Sequence, residues 1–127
     1  MIRVFKTRHF CRWMRKTELT DRALRAAVEE MSKGLIDADL GGGVVKKRIG
    51  LAGRGKRSGA RTLVATNKGD RWFFVFGFEK NVRATISTDE LEALQDIAQA
   101  LLERNSQELE LAVADGSLEE ICDDRED

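Results

Sequence analysis

The run Arg71-Trp72-Phe73-Phe74-Val75-Phe76-Gly77-Phe78 holds five of the chain's eight aromatic residues and is apolar at odd and even positions alike. Successive side chains of a strand point to opposite faces, so such a run is buried only if layers cover both of them. It therefore predicts a central strand, covered on both sides. A chain of 127 residues has material for one core around it, and two separate cores would each be marginal. Upstream, Asn67-Lys68-Gly69-Asp70 is turn chemistry that joins this run to the β-branched strand Arg61-Thr62-Leu63-Val64-Ala65-Thr66. Before that, Val44-Val45-Lys46-Lys47-Arg48-Ile49 reads as a strand with basic substituents, and the glycine-rich stretch Gly50 to Gly59 as a loop.

The flanks carry helical signals. Ile2-Arg3-Val4-Phe5-Lys6 alternates apolar and basic residues, as a short half-buried strand does. Phe10, Trp13, Met14 and Thr17 recur at three and four, with Arg8, Arg12, Arg15 and Lys16 between them, giving a helix with one apolar and one basic face. Thr20 is an N-cap for a second helix with the stripe Leu24, Ala27, Val28 and Met31, stopped by Gly34. Residues 8–34 thus read as a helical hairpin. Ser87-Thr88-Asp89-Glu90 fits a capping box opening a long helix whose apolar face is Leu91, Leu94, Ile97, Ala98, Leu101 and Leu102. Ser106 caps a further short helix with Leu109, Leu111 and Val113. Past it, seven acids and one arginine surround few apolar anchors, so residues 114–127 are expected to be a weakly ordered acidic tail after a single domain at 1–113. Short turns between strands favour an antiparallel meander with helices packed to one side, an α+β fold.

Charge is distributed unevenly. The formal net charge is zero, yet residues 1–80 carry 19 basic and 8 acidic side chains and residues 81–127 carry 3 and 14. From Leu40 to Gly69 there are eight cations, Lys46, Lys47, Arg48, Arg54, Lys56, Arg57, Arg61 and Lys68, and no acid. Like charges crowded together repel, whereas an ordinary solvated face mixes signs, so this stretch predicts an anionic partner. Phosphates fit best, because Gly53, Gly55 and Gly59 allow backbone N–H groups to approach and arginine pairs bidentately with phosphate oxygens. About five contacts to single-stranded RNA would give a salt slope near −3 to −4. The competing explanations are an acidic protein partner or a merely solubilising surface. The acidic tail, in turn, is expected to fold back over these cations as a weak autoinhibitor.

Other classes fall away. No apolar run approaches the roughly 18 to 20 residues of a membrane helix, and the start of the chain lacks a signal peptide's apolar stretch, so a cytoplasmic protein is expected, with no membrane partner. Cys11 and Cys122 stand at opposite ends and His9 is the one histidine, which leaves no zinc site and no disulfide framework. His9 reads as an ordinary exposed histidine. Gly50-x-x-x-x-Gly55-Lys56 begins like a nucleotide-binding loop, but Arg57 replaces the magnesium-binding Ser or Thr and a strand follows where a helix is needed. The aromatic strand is core by this reading, with Phe78, beside Lys80 and Arg83, its member most suited to partial exposure and base stacking.

Taken together, several blocks carry a family likeness. They are Gly34-Leu35-x-Asp37-Ala38-Asp39-Leu40-Gly41-Gly42-Gly43-Val44, Lys46-Lys47-Arg48, Gly53-x-Gly55-Lys56-x-Ser58-Gly59-x-Arg61-Thr62-Leu63-Val64-Ala65, and Phe76-Gly77-Phe78-x-Lys80-x-x-Arg83-x-x-Ile86-x-x-x-Glu90-Leu91. In these the chain resembles the RelE/ParE superfamily of toxins from type II toxin–antitoxin modules, in its HigB-like branch. The resemblance implies an α+β fold with an antiparallel sheet of about four strands, an N-terminal helical hairpin and C-terminal helices. It also implies a ribosome-dependent endoribonuclease, an mRNA interferase, that cuts messenger RNA in the ribosomal A site. There the 2′-hydroxyl attacks the adjacent phosphate without metal or other cofactor. A helix-turn-helix antitoxin neutralises the toxin, and operator DNA is met only through their complex. The alternative in the superfamily is a non-nuclease toxin directed at gyrase, or an inactive one that retains antitoxin and operator binding.

Given that chemistry, the cations of this sequence supply the roles. The attacking hydroxyl needs a base, the phosphorane needs neutralising charge, and the leaving 5′-oxygen needs a proton. A lysine crowded by like charges loses its proton more readily, which makes Lys46, Lys47 or Lys56 the base. Arg61, fixed on a strand, binds the transition-state phosphate, with Arg83 as a second clamp and Lys80 as the acid. Lys47, Arg48, Arg54, Arg57 and Phe78 hold RNA or the ribosome. RelE proper has a tyrosine shortly after the last strand; here the nearest positions are Ile86 and Ser87, and Asn81 stands where an arginine follows the lysine.

Overall fold

The computed structural model of the chain describes residues 1–51 and 55–122, the side chains of 55–58 excepted. In order, its elements are β1 (Arg3–Thr7), α1 (Arg8–Met14), α2 (Asp21–Ser32), β2 (Ala38–Gly41), β3 (Val44–Leu51), β4 (Gly55–Thr66), β5 (Arg71–Glu79), α3 (Thr88–Leu102), α4 (Ser106–Ala114) and β6 (Leu118–Ile121). The strands form one sheet in the order β2-β3-β4-β5-β1-β6. This α+β sheet is larger than the four-stranded one expected, and it is mixed: β2 to β5 form an antiparallel meander, while β1 runs parallel to β5 and β6 antiparallel to β1.

Both faces are covered, as the apolar parity of β5 requires and contrary to helices on one side only. On one face Phe10 of α1 and Leu24, Ala27, Val28 and Met31 of α2 pack with Val4, Val45, Ile49, Val64, Trp72 and Phe74. On the other, Leu94, Ala98 and Leu101 of α3 and Leu109 and Ala112 of α4 pack with Phe5, Val44, Leu63, Ala65, Phe73 and Val75. Capping follows the sequence at α2 and α3, whereas α4 is capped by Asn105, with Ser106 its first helical residue. Thr20 accepts from Ala23 N at 3.1 Å, and Ser87 and Glu90 form the reciprocal box at 3.1 and 2.8 Å.

The acidic end of the chain departs from expectation. Residues 118–121, assigned to a weakly ordered tail, are strand β6, with Leu118 and Ile121 each 4% exposed. Two apolar residues three apart sufficed because basic β1 offered a matching edge. Lys6 Nζ, itself buried, lies 2.5 Å from Glu119 and 2.7 Å from Asp21 at the start of α2, and Arg3 pairs with Glu120 and Glu110 at 2.9 and 2.8 Å. These acids therefore neutralise β1, at the opposite end of the sheet from β3 and β4, rather than folding over the basic strands. Asp123 to Asp127, the rest of that expected tail, lie outside the described residues.

Candidate active site

A one-residue irregularity in β5 shapes the site. Leu63 pairs with Phe76 but Val64 with Phe74, so β5 carries an extra residue at Val75. Such a bulge turns two successive side chains to one face. Val75 and Phe76 both pack on the α3 side, and beyond them Gly77 faces α1, with Trp13 where a β-carbon would stand.

Past the bulge the α3 face bears cations. Arg48, Arg61 and Phe78 lie side by side across β3, β4 and β5, and the next row along is Lys46, Leu63 and Phe76. Alternation along β3 places Lys46 and Arg48 on one face and Lys47 on the other. Arg61 is 6% exposed, and burial together with the neighbouring Arg48 charge pushes its guanidinium below its ordinary pKa. Arg48 is exposed but anchored: its backbone N and Nε donate to Asp37 at 2.6 and 2.9 Å. Burial raises the Asp37 carboxyl, but these two hydrogen bonds win and hold it below the usual range.

Arg83, in the connection from β5 to α3, reaches back over the strand. Its guanidinium stands 5.9 Å from the Phe76 ring centre and 5.5 Å from that of Phe78. Both terminal nitrogens bind Glu90, at 3.0 and 2.5 Å, while Nε donates to the Thr85 carbonyl at 3.0 Å. The paired guanidinium, followed by the Ser87 backbone N–H, holds the Glu90 carboxyl down at about 2. Between these groups and the first turn of α3 opens a cavity of about 150 Å³, lined by Lys46, Phe78, Thr85, Ile86 and Thr88 among others.

Of the residues the sequence singled out, Lys46, Arg48, Arg61, Phe78 and Arg83 come together here. Lys47 does not. It is buried on the α2 side, where Nζ binds the Leu35 carbonyl and Glu30, both at 2.8 Å, so it acts as a structural anchor instead of a base or RNA contact. Lys80 is exposed in the turn after β5, its backbone N–H bonded to Gly59 O at 3.3 Å. Phe78 is 5% exposed, not a partly free stacking platform. The bulge instead leaves Phe76 half-buried, with exposed His9 stacked on it at 5.5 Å and 7°. Arg54 lies outside the described residues, as do the side chains of Lys56 and Arg57.

Sequence reasoning missed the acids. The acid-free window from 40 to 69 is served from outside itself, by Glu30 on Lys47, Asp37 on Arg48 and Asp39 on Lys68. No local window registers such pairs. Among the described residues the Lys46 side chain makes no hydrogen bond or ion pair, and it is half-buried beside two arginines. A row of fixed guanidiniums next to an uncommitted amine is suited to holding a phosphate while a proton moves.

Among the described residues no three His, Cys, Asp or Glu side chains are grouped to hold a metal ion, and no helix is long and apolar enough to cross a membrane. Residues 2–121 match the family model described as the RelE toxin of the RelE / RelB toxin-antitoxin system. No curated protein shows significant similarity to the chain.

Proposed function

The chain belongs to the RelE toxin family of toxin–antitoxin systems, and on that premise we propose that it is a ribosome-dependent mRNA endoribonuclease of HigB-like type. The observation that carries the reading is the row Arg48–Arg61–Phe78 with Lys46 and Arg83 on the same face of the sheet. In this reading Lys46 is the base that takes the proton of the RNA 2′-hydroxyl. The freed oxygen attacks the adjacent phosphorus, forming a 2′,3′-cyclic phosphate as the P–O5′ bond breaks. Arg61, held rigid by burial, and Arg83 neutralise the phosphorane, and Lys80 protonates the departing 5′-oxygen. Arg48 keeps the RNA backbone in place. Lys56 as a further catalytic cation, and Arg54 and Arg57 as RNA or ribosome contacts, complete this reading from the sequence alone. A helix-turn-helix antitoxin would neutralise the toxin and carry the pair to operator DNA.

Induced expression followed by primer extension on a translated message tests this. The expected result is cleavage within codons of translated regions, abolished by Arg61→Ala with the fold intact. Loss of a preorganised charge of this kind costs roughly 10²- to 10³-fold in rate. Intact messages with induced DNA damage would instead mark a gyrase-directed toxin. A folded Arg61→Ala protein that still cleaves at the original rate rejects the central residue assignment.

A further inference from the structure

His9, the one histidine of the chain, reads from sequence as an ordinary exposed side chain, yet the fold lays it against the site. β1 runs parallel to β5 with Lys6 opposite Phe74, and the chain leaves the strand after Thr7, whose side chain caps α1 by accepting from Phe10 N at 3.2 Å. The first turn of that helix therefore comes alongside Phe76. There the His9 ring lies on the Phe76 ring, with centres 5.5 Å apart and planes 7° from parallel. A parallel stack of this kind favours one orientation of both rings.

Phe76 needs such a hold. The bulge turns its side chain out on the α3 face, where it is half-buried and borders an apolar cleft of about 490 Å³ whose other walls include Val75, Leu94 and Ile97. A ring beside open apolar space has a second rotamer within reach, because swinging into the cleft would bury it further. Against the same ring, at 5.9 Å, stands the Arg83 guanidinium. Glu90 fixes the terminal nitrogens of Arg83 and the Thr85 carbonyl fixes its Nε, but both partners belong to the connection after β5 and the helix that follows. Phe76 and Phe78 are what relate this guanidinium to the sheet that carries Arg61 and Lys46. Phe78 is buried and has no such freedom. Phe76 is thus the support whose position needs a partner.

We propose that His9 is a positioning residue: by stacking on Phe76 it keeps that ring out of the cleft and so holds the Arg83 guanidinium in place over β5, on the face that carries Arg61. The inference rests on the ribonuclease reading, in which Arg83 neutralises the phosphorane, and adds to it a side chain from the N-terminal helix. A small displacement of such a group is costly, because the charge must meet the transition state and not merely lie near it. The imidazole takes no part in proton transfer here. Its flat face is what counts, so another flat ring should serve.

The test compares the full-length parent with His9→Ala and His9→Phe in ribosome-dependent cleavage of a translated message. His9→Ala is expected to lower kcat about three- to tenfold, the range an aromatic pair supports, with KM and melting temperature close to the parent's. His9→Phe should restore most of the rate. In a double-mutant cycle, His9→Ala should cost nothing further once Arg83→Ala is present. A readout independent of activity is the Arg83 Nε–H signal in the heteronuclear NMR spectrum, identified by its disappearance in Arg83→Ala. Ring currents from Phe76 and Phe78 set its position, so it should move in His9→Ala and return in His9→Phe. Either a parental kcat or an unmoved Arg83 signal in folded His9→Ala overturns the inference. So does a rate that His9→Phe fails to restore, which would make the imidazole a reacting group, and so does an additive loss with Arg83→Ala. If the parent does not cleave, the ribonuclease reading fails, and the Arg83 signal alone decides whether His9 positions that guanidinium.

Discussion

Arg83 and Glu90 form a two-pronged ion pair that ties the connection after β5 to the first turn of α3. The same Glu90 carboxylate also accepts the Ser87 backbone N–H as the second half of the capping box. One side chain therefore starts the helix and aims the guanidinium over Phe76 and Phe78. Its carboxyl is depressed from the ordinary 4.5 to about 2. A depressed folded-state value means that its stabilisation is complete above about pH 4.5 and is lost as pH falls toward 2. The melting temperature of the parent should exceed that of Glu90→Gln by a constant margin near neutrality, and the margin should shrink below pH 4.5. A margin independent of pH would show that the ionised pair contributes nothing.

Adjacent lysines on β3 should behave oppositely. Lys47→Ala leaves Glu30 and the Leu35 carbonyl without their donor and is expected to cost about 1–3 kcal/mol of stability, seen as an earlier urea midpoint, with cleavage per folded molecule retained. Lys46→Ala should leave the midpoint nearly unchanged and remove cleavage. The same phenotype for both would mean that face does not separate their roles.

Gly77 is required by α1. A β-carbon there falls into the Trp13 ring, which is a rigid obstacle packed against Phe10 with ring centres 5.4 Å apart. Gly77→Ala is expected to destabilise by about 1–3 kcal/mol through overpacking and to shift the Trp13 fluorescence. An unperturbed melting curve would show that α1 yields freely.

Ending the chain at Ala114 should damage the fold rather than unmask RNA binding. It removes the buried Leu118 and Ile121 and takes Glu119 from Lys6. Loss of the two apolar side chains alone is on the order of 3–6 kcal/mol. Calorimetry checks this, and a truncated protein that melts like the parent and binds RNA more tightly would restore the acidic segment as an autoinhibitor.

Local pattern by itself determined a good deal. The double-sided apolar run of β5 required layers on both faces, the spacing of Leu24, Ala27, Val28 and Met31 gave α2 its buried stripe, and Ser87 with Glu90 marked the start of α3. Each of these depends on residues within a few positions of one another, where backbone geometry alone sets which side chains meet. The basic stretch from 44 to 61 likewise announced the site. Alternation along β3 also separates Lys46 from Lys47, a signal present in the sequence once the strand is accepted.

Tertiary structure decided the rest. β6 is a strand only because β1 presents Arg3 and Lys6 to its acids, and β1 sits beside β5 only because two helices carry the chain away and return it to the meander. The acids that neutralise Lys47, Arg48 and Lys68 come from Glu30, Asp37 and Asp39. Composition could therefore count charges but not assign partners. Pairing free energy depends on distance and burial, which long-range topology sets, and that is why Lys46, indistinguishable by composition from its neighbour Lys47, is left uncommitted among the described residues while Lys47 is anchored.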